Sequence, residues 1–175
     1  MAGYRKLGRT AAQRKALLRN QVTALIANGK IVTTDSKAKE VKKIAEGLIA
    51  LAVREKDNFD TVTVDAKVPE KDKDGKRVKG EDGKTKFIVT QKEIKKDQPS
   101  RLHARRQMLK VLYPVKEVPT AAAGKKKNTK DVDLVAKLFD EIAPKYVDRK
   151  GGYTRIVKIG LRKGDAAMEV LLELV

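Results

Sequence analysis

The residues of this chain whose types and spacing point most clearly to chemistry lie near its end, in the segment Arg149–Lys158. Two adjacent glycines precede a tyrosine, a threonine and an arginine there, and basic residues flank them. Glycine lets a backbone approach a phosphate closely, arginine donates two hydrogen bonds to it, and an aromatic ring stacks on a base. The pattern therefore indicates a loop and strand that contact a polyanion.

Each feature of this segment also has a purely structural interpretation. Gly151 and Gly152 can form a turn before a strand, and Tyr153 can fill the core instead of stacking on a base. Arg155 alternates with Tyr153 and Val157 on one face of the predicted strand, and an arginine on a buried face needs a partner. We therefore expect Arg155 at the rim of the domain, in contact with nucleic acid.

The overall charge supports a polyanionic partner. The 175 residues include 41 Lys and Arg against 23 Asp and Glu, a formal net charge of +18. The positive charges repel one another and destabilise the folded state unless an anionic partner neutralises them. Nucleic acid is therefore the leading candidate for that partner, and an acidic membrane is the second. No apolar run approaches the roughly 20 residues of a membrane helix, and no secretory signal is recognisable. We expect no membrane partner.

The residues that enzymes use are sparse. The absence of Cys excludes disulfides, thiolate nucleophiles and Cys-based metal sites. The single histidine, His103, stands among Arg101, Arg105 and Arg106, which suits contact with phosphate or solvent better than general-base catalysis. The sequence therefore predicts a protein that is not an enzyme, with no cofactor, metal or small-molecule substrate.

The N-terminal region is basic before the first acid, Asp35. An organelle transit peptide or a solvated helix face would show the same bias. We favour a nucleic-acid arm over 1–9, because the cations continue into a helix with a good core face. The cations of this region are Arg5, Lys6, Arg9, Arg14, Lys15, Arg19 and Lys30.

The segment 57–98 has a different character. It contains eleven Lys and Arg against ten Asp and Glu, a net charge of +1, so the remainder of the chain carries +17. Two β-rich stretches flank several Gly-containing turn signals, which predicts an inserted, charged β-hairpin. A second segment, 114–130, is rich in small and basic residues and is predicted to be a flexible loop.

The hydrophobic periodicity places helices and strands around these segments. A helix is predicted from Thr10 or Ala11 to Asn28, with its core face at Leu18, Val22, Leu25 and Ile26 and a stop at Gly29. Further helices are predicted over about 36–56, over 101–112 and after a cap at Thr129, with Pro144 kinking or ending the last. A strand at 30–34 and two final strands, about 153–160 and 168–175, complete the pattern.

Three blocks of the sequence resemble the bacterial family of large-subunit ribosomal protein L17. They begin with Tyr4–Arg9, continue through Gly29–Thr34 and the following helix, and end with Leu138–Val175. Together they span about 1–56 and 131–175, with a weaker match at 101–113, and their order and spacing make the resemblance specific. The segments 57–98 and 115–128 exceed the usual core length of that family.

The resemblance implies a fold and a location. The fold is α+β, a small two-layer sandwich in which helices cover a mixed three-stranded sheet, with the hairpin as an insertion. The core domain would comprise 10–56 and 99–175. The protein would be a structural constituent of the large subunit of cytoplasmic bacterial ribosomes. It would bind large-subunit ribosomal RNA near the exit of the peptide tunnel, beside neighbouring ribosomal proteins, and support assembly and translation.

The charge pattern and the resemblance together predict a set of RNA contacts. The arm and first helix contribute Arg5, Lys6, Arg9, Arg14, Lys15, Arg19 and Asn20, and the middle of the chain contributes Lys37, Lys39, Arg105 and Arg106. The C-terminal segment contributes Arg149, Tyr153, Thr154, Arg155, Lys158, Arg162 and Lys163. Helical RNA should be recognised through shape and backbone, because its major groove is too narrow for side chains.

Two other hypotheses fit the same charge. The first is a free-standing nucleic-acid chaperone or DNA-binding protein, although no helix-turn-helix or basic zipper pattern supports it. The second is an interaction module in which the hairpin 57–98 binds proteins or factors near the tunnel exit.

Overall fold

The computed structural model of the chain describes residues 4–72, 75–80, 82–119 and 129–175. The chain divides into two compact units, a core unit of 1–57 and 100–175 and a hairpin unit of 58–99. Part of the predicted arm (1–3) and most of the predicted flexible loop (120–128) lie outside the described residues. No helix within the described ranges is both long enough and apolar enough to span a membrane.

The described elements follow one another as α1 (Ala11–Asn28), β1 (Lys30–Thr34), α2 (Asp35–Glu55), β2 (Phe59–Pro69), β3 (Phe87–Asp97), α3 (Pro99–Val111), β4 (Val115–Glu117), β5 (Lys130–Val132), α4 (Leu134–Lys137), β6 (Thr154–Leu161) and β7 (Met168–Leu174). The helical path of α4 continues through a π-helical turn, Leu138–Ile142, and a 3₁₀ turn, Ala143–Tyr146. The α+β class predicted from the sequence is confirmed.

Helix α1 begins and ends where its sequence signals stand. Thr10 and Gln13 form a capping box, in which each side chain accepts a hydrogen bond from the backbone N–H of the other. Gly29 ends the helix with a φ of 76°, and its N–H donates to the Leu25 carbonyl at 2.8 Å. A left-handed residue at this position favours glycine because it has no Cβ. The predicted bounds of this helix are confirmed.

The three-stranded sheet of the core unit has the order β1-β7-β6. Both pairings are antiparallel, with Val32 opposite Leu171 and Leu171 opposite Val157. The expectation of a mixed sheet is therefore wrong. Strand β7 returns through a tight turn after β6, and such a turn joins antiparallel neighbours. A bulge between Lys158 and Gly160 interrupts the regular register of β6.

The helices cover one face of this sheet, which makes the two layers of the fold. Val170 and Leu172 of β7 are fully buried on that face. The core positions predicted for α1, Leu18, Val22, Leu25 and Ile26, are buried, as are Val41, Ala45, Leu48 and Ala52 of α2. Phe139 in the π-helical turn is also buried. The opposite face exposes Val32 and Val157.

The helix that follows β5 starts later than its sequence suggested. Its cap is Asp133, whose Oδ1 accepts hydrogen bonds from the backbone N–H groups of Val135 and Ala136 at 2.9 and 3.0 Å. The prediction of a cap at Thr129 is wrong, because residues 130–132 pair as strand β5 before the helix begins. Pro144 lies in the first turn of the 3₁₀ segment, where its missing N–H costs nothing.

The two ends of the predicted flexible loop are paired strands. Val115 lies opposite Val132, and Glu117 lies opposite Lys130, in an antiparallel arrangement. Both valines pack against the hydrophobic core, which explains why the chain is ordered there despite its polar composition. The described ends of 114–130 therefore differ from the loop that composition predicts.

The hairpin unit is built on β2 and β3, which pair antiparallel over eleven residues from Phe59 opposite Asp97 to Pro69 opposite Phe87. Two isolated bridges extend the pairing toward the tip. The N–H of Gln98 donates to the Asn58 carbonyl at 3.2 Å, so the two ends of the unit lie side by side.

Candidate nucleic-acid interface

The described part of the arm, residues 4–9, is held against the core unit. Arg5 Nη1 donates to Oε1 of Glu40 at 2.9 Å, and Leu7 packs against the core. Leu7 and Gly8 have φ values of 57° and 63°, so the chain turns there. The sequence predicted an extended arm. The difference follows from the buried carboxylate of Glu40, because a buried charge requires a paired cation.

A cleft of about 580 Å³ opens between the arm, α1, α2 and the end of α3. We refer to it as the three-helix cleft. Its lining is mostly apolar and includes Leu18, Ile44 and Val111. Five cations line it as well, namely Arg14, Lys15, Arg19, Lys43 and Lys110. The guanidinium of Arg14 lies 4.1 Å from the ring centre of Tyr4, and Tyr4 is 51% exposed.

Arg19 has a structural role in the free protein. Its Nε donates to the Val111 carbonyl at 2.9 Å, and its guanidinium lies 4.0 Å from the ring centre of Tyr113. The Thr23 hydroxyl donates to the Arg19 carbonyl at 2.8 Å and accepts from the Tyr113 N–H at 3.0 Å. These contacts fasten α1 to the end of α3, so Arg19 has at most part of its guanidinium available to RNA.

The lysines at the start of α2 are interleaved with acids. Lys39 Nζ lies 2.6 Å from Asp35, and Lys43 Nζ lies 4.0 Å from the buried Glu40. Lys37 is half-buried. Pairs three and four residues apart on a helix stabilise it only modestly, so the exposed ends of these lysines remain accessible to an anion.

The arginines of α3 divide between the core and the surface. Arg101 is 2% exposed and lies 4.5 Å from the ring centre of Phe139. Arg105 approaches the same ring at 5.5 Å and Asp133 at 3.9 Å. Arg106 is exposed. Of the two arginines predicted on this helix as RNA contacts, Arg106 is the more accessible.

The paired glycines make a tight turn before β6. Gly151 and Gly152 have φ values of 147° and 64°, and Arg149 Nη1 donates to the Gly152 carbonyl at 3.1 Å. Tyr153 is only 5% exposed, packs edge-on against Tyr146 with ring centres 5.3 Å apart, and donates its hydroxyl hydrogen to the Arg149 carbonyl at 3.1 Å. Of the two interpretations of Tyr153, the structure favours the core one, because the ring is buried and its hydroxyl is bonded within the chain, so stacking on RNA stays an untested prediction.

Thr154 is also an internal residue. It is 4% exposed, and its hydroxyl donates to Oε1 of Glu46 on α2 at 2.9 Å. This hydrogen bond joins β6 to α2 and leaves the buried side chain little surface for the predicted RNA contact. Arg155 is 61% exposed and pairs across the sheet with Glu173, with Nε and Nη2 at 2.9 and 2.8 Å from Oε1.

The turn between β6 and β7 contains a second bidentate arginine. Arg162 donates through Nε and Nη2 to the two carboxylate oxygens of Asp165 at 2.8 and 2.6 Å. This hydrogen bonding lowers the pKa of Asp165 to about 2 and raises the pKa of Arg162 above its ordinary value. Glu169 lies 3.7 Å from Arg162, and Lys163 is exposed beside the pair.

Apart from the half-buried Lys37 and the buried Tyr153 and Thr154, the predicted contacts fall into two groups. Those with partners inside the protein are Arg5, Arg9, Arg14, Arg19, Lys39, Arg105, Arg149, Arg155 and Arg162. Exposed polar ends are presented by Lys6, Lys15, Asn20, Arg106, Lys158 and Lys163. Lys43 and Lys110 also line the three-helix cleft and were not among the predicted contacts. The spacing of Lys110, four residues after Arg106, is the signal that was available.

A family model described as Ribosomal protein L17 matches residues 17–175. The chain belongs to the ribosomal protein L17 family. The resemblance seen in the sequence is confirmed, and the expectation that the protein is not an enzyme agrees with membership in a family of ribosomal proteins.

Relatives within the ribosomal protein L17 family match the chain from end to end. Large ribosomal subunit protein bL17 of Lachnospira eligens is 78% identical over 178 residues, and that of Acetivibrio thermocellus is 50% identical over 184 residues. The protein of the same name from Clostridium botulinum is 38% identical over 175 residues. All three alignments cover the whole of both chains, so these relatives have similar lengths and the long hairpin segment is not a peculiarity of this chain.

Proposed function

We propose that this L17-family protein is a structural constituent of the bacterial large ribosomal subunit that binds large-subunit ribosomal RNA near the exit of the peptide tunnel. The relatives carry the name of large ribosomal subunit proteins, and the charge of this chain fits the same role. The protein would reside in cytoplasmic ribosomes and support subunit assembly and translation.

The observation that carries this proposal is the placement of the cations around the three-helix cleft. Arg14 and Lys15 of α1, Lys43 of α2 and Lys110 of α3 come from separate elements and line one depression. The only acid in that lining is Glu40, within the described residues, and Arg5 pairs with it. Such a concentration of cations attracts a polyanion and binds it through phosphate contacts.

The exposed residues supply the proposed contacts. Lys6, Lys15, Asn20, Arg106, Lys158 and Lys163 present polar ends to solvent and would bind phosphate oxygens. Arg149, Arg155 and Arg162 have internal partners, and each guanidinium has five donors, so the donors not used internally can reach RNA. Phosphate contacts position a protein on RNA without reading its sequence.

Quantitative mass spectrometry of salt-washed ribosomal subunits tests the proposal. We expect close to one copy per large subunit and none in the small subunit. Absence from both subunits would overturn the ribosomal assignment and would favour a free-standing nucleic-acid chaperone. Cross-linking of the assembled subunit then tests the location, because a tunnel-exit position predicts links to the proteins that surround the exit.

The salt dependence of RNA binding tests the contacts themselves. Replacing Lys15 with Ala removes one phosphate contact and should reduce the slope of log affinity against log salt by roughly 0.7 to 0.9. Thr10→Ser, which keeps the capping hydroxyl and the charge, is the control. An unchanged slope for the Lys15 variant would place the RNA elsewhere on the protein.

A further inference from the structure

The three-helix cleft has a feature that phosphate binding alone does not use, which is its apolar interior. Leu18 is almost completely buried at its wall, and Ile44 and Val111 are partly buried there. A surface that only contacted phosphates would need cations and hydrogen-bond donors, whereas this lining offers mostly carbon. The volume of about 580 Å³ lies in the range of clefts that hold small organic groups.

An aromatic ring stands at the same cleft. Tyr4 lines it, is 51% exposed, and lies under the guanidinium of Arg14 with 4.1 Å between the guanidinium carbon and the ring centre. The arginine orients the ring and leaves about half of the residue's surface accessible. Aromatic rings and arginine planes are the groups on which unstacked RNA bases stack.

The charge around the cleft decides which kind of occupant fits. Lys15, Lys43 and Lys110 surround the apolar lining, and the carboxylate of Glu40 is neutralised by Arg5 at 2.9 Å. An apolar protein segment would leave these lysines without anions. A nucleotide fits both features of the cleft. The faces of its base are flat and largely apolar, which suits the lining, and its phosphates are negative, which suits the lysines.

We propose that the three-helix cleft receives an unstacked nucleotide of the ribosomal RNA, with its base against Tyr4, Leu18 and Ile44 and its flanking phosphates near Lys15, Lys43 and Lys110. This inference rests on the proposed function, because it names one RNA feature that the ribosomal protein would bind. Inserting a single extruded base would fix the register of the protein on the RNA, which phosphate contacts to a regular helix do not do.

A matched pair of variants tests the inference. Ala11 lines the cleft and Ala12, its neighbour on α1, does not, and both side chains are exposed. Ala11→Phe fills the cleft, whereas Ala12→Phe places the same ring on the helix surface. Tyr4→Ala, a third variant, removes the stacking ring without adding bulk and decides the question if Ala11→Phe is not incorporated.

The measurement is chemical probing of the ribosomal RNA in purified large subunits that contain each variant. Ala11→Phe and Tyr4→Ala should expose the same one or two unpaired nucleotides, and Ala12→Phe should give the wild-type pattern. Stacking on an aromatic ring is worth about 1–3 kcal/mol per base, so Tyr4→Ala should raise the ratio of exposed to protected nucleotide roughly 5- to 160-fold.

Copy number in the same samples keeps the two proposals separate. If the wild-type protein is missing from the large subunit, the proposed function fails before the cleft is tested. If the protein is present at one copy and all three variants leave RNA reactivity unchanged, the nucleotide is not there and the inference is wrong. Unchanged RNA reactivity with loss of a neighbouring protein from the Ala11→Phe subunits would identify a protein occupant and would equally overturn it.

Discussion

The guanidinium of Arg19 lies 4.0 Å from the centre of the Tyr113 ring and joins α1 to the chain that leaves α3. Its Nε also donates to the Val111 carbonyl at 2.9 Å, 92 positions away in the sequence. A residue that looked like one more phosphate contact therefore stabilises the packing of two helices. Arg19 therefore contributes mainly to the stability of the folded protein.

Arg19→Lys should lower the free energy of unfolding of the free protein. Lysine lacks the planar fork that stacks on Tyr113, and one charged hydrogen bond contributes about 1.5–3 kcal/mol. Lys15→Ala on the same helix is the control, because an exposed substitution should stay within about 0.5 kcal/mol. Chemical denaturation measures both. Equal stabilities for the two variants would show that the contacts of Arg19 with Tyr113 and Val111 do not stabilise the fold.

Tyr153→Ala should be among the most destabilising substitutions in the core unit. The side chain is buried against Tyr146, and replacing a buried aromatic residue with Ala costs about 3–5 kcal/mol. Tyr153→Phe keeps the ring and loses only the hydrogen bond to the Arg149 carbonyl, so it should cost about 1 kcal/mol. Thermal unfolding distinguishes the two. A small effect of Tyr153→Ala would show that this ring is not packed in the core.

Removal of the hairpin should leave the core unit folded. The ends of the hairpin unit are joined by the hydrogen bond between Gln98 and Asn58, so residues 59–97 can be deleted and these two residues linked directly. The charge of the deleted segment is nearly balanced, so the salt slope of RNA binding should hardly change. Circular dichroism measures the first outcome, and RNA binding over a range of salt concentrations measures the second. Loss of cooperative unfolding would show that the core needs the hairpin.

The turn between β6 and β7 should respond to acid at unusually low pH. The pKa of Asp165 is about 2 in the folded protein and 3.8 ordinarily, so its pairing with Arg162 stabilises the fold fully above about pH 4. That contribution is lost as the pH falls toward and through 2. A carboxyl chemical-shift titration should show a midpoint near 2. A midpoint near 4 would mean that the pair does not persist in solution.

Asp165→Asn should strengthen RNA binding by more than the added charge explains. The change removes the ionised partner of Arg162 and makes its two donors available to phosphate. Asp148→Asn is the matched control, because it adds the same charge at an exposed position before the glycine turn. Binding to ribosomal RNA over a range of salt measures both variants. Identical affinities would show that Arg162 does not reach the RNA.

The sequence by itself determined the features that depend on near neighbours in the chain. The capping box at Thr10, the stop at Gly29 and the period of the core residues set the bounds of α1, because these signals act within about one helical turn. The alternation of residues predicted the last two strands. The uneven division of charge between segment 57–98 and the remainder is a property of composition, and it pointed to a polyanion without any structure.

Only the tertiary structure decided which basic residues are available. Arg5 meets Glu40 across 35 positions, Arg19 meets Val111 across 92, and Thr154 meets Glu46 across 108. A local sequence pattern cannot predict such pairs, because they depend on how the helices and strands pack. The same packing placed Tyr153 in the core, made the sheet antiparallel, and brought cations of three helices around one apolar cleft. The sequence gives the number and order of the charged residues, whereas the packing of the fold determines which of them are paired and which are exposed to solvent.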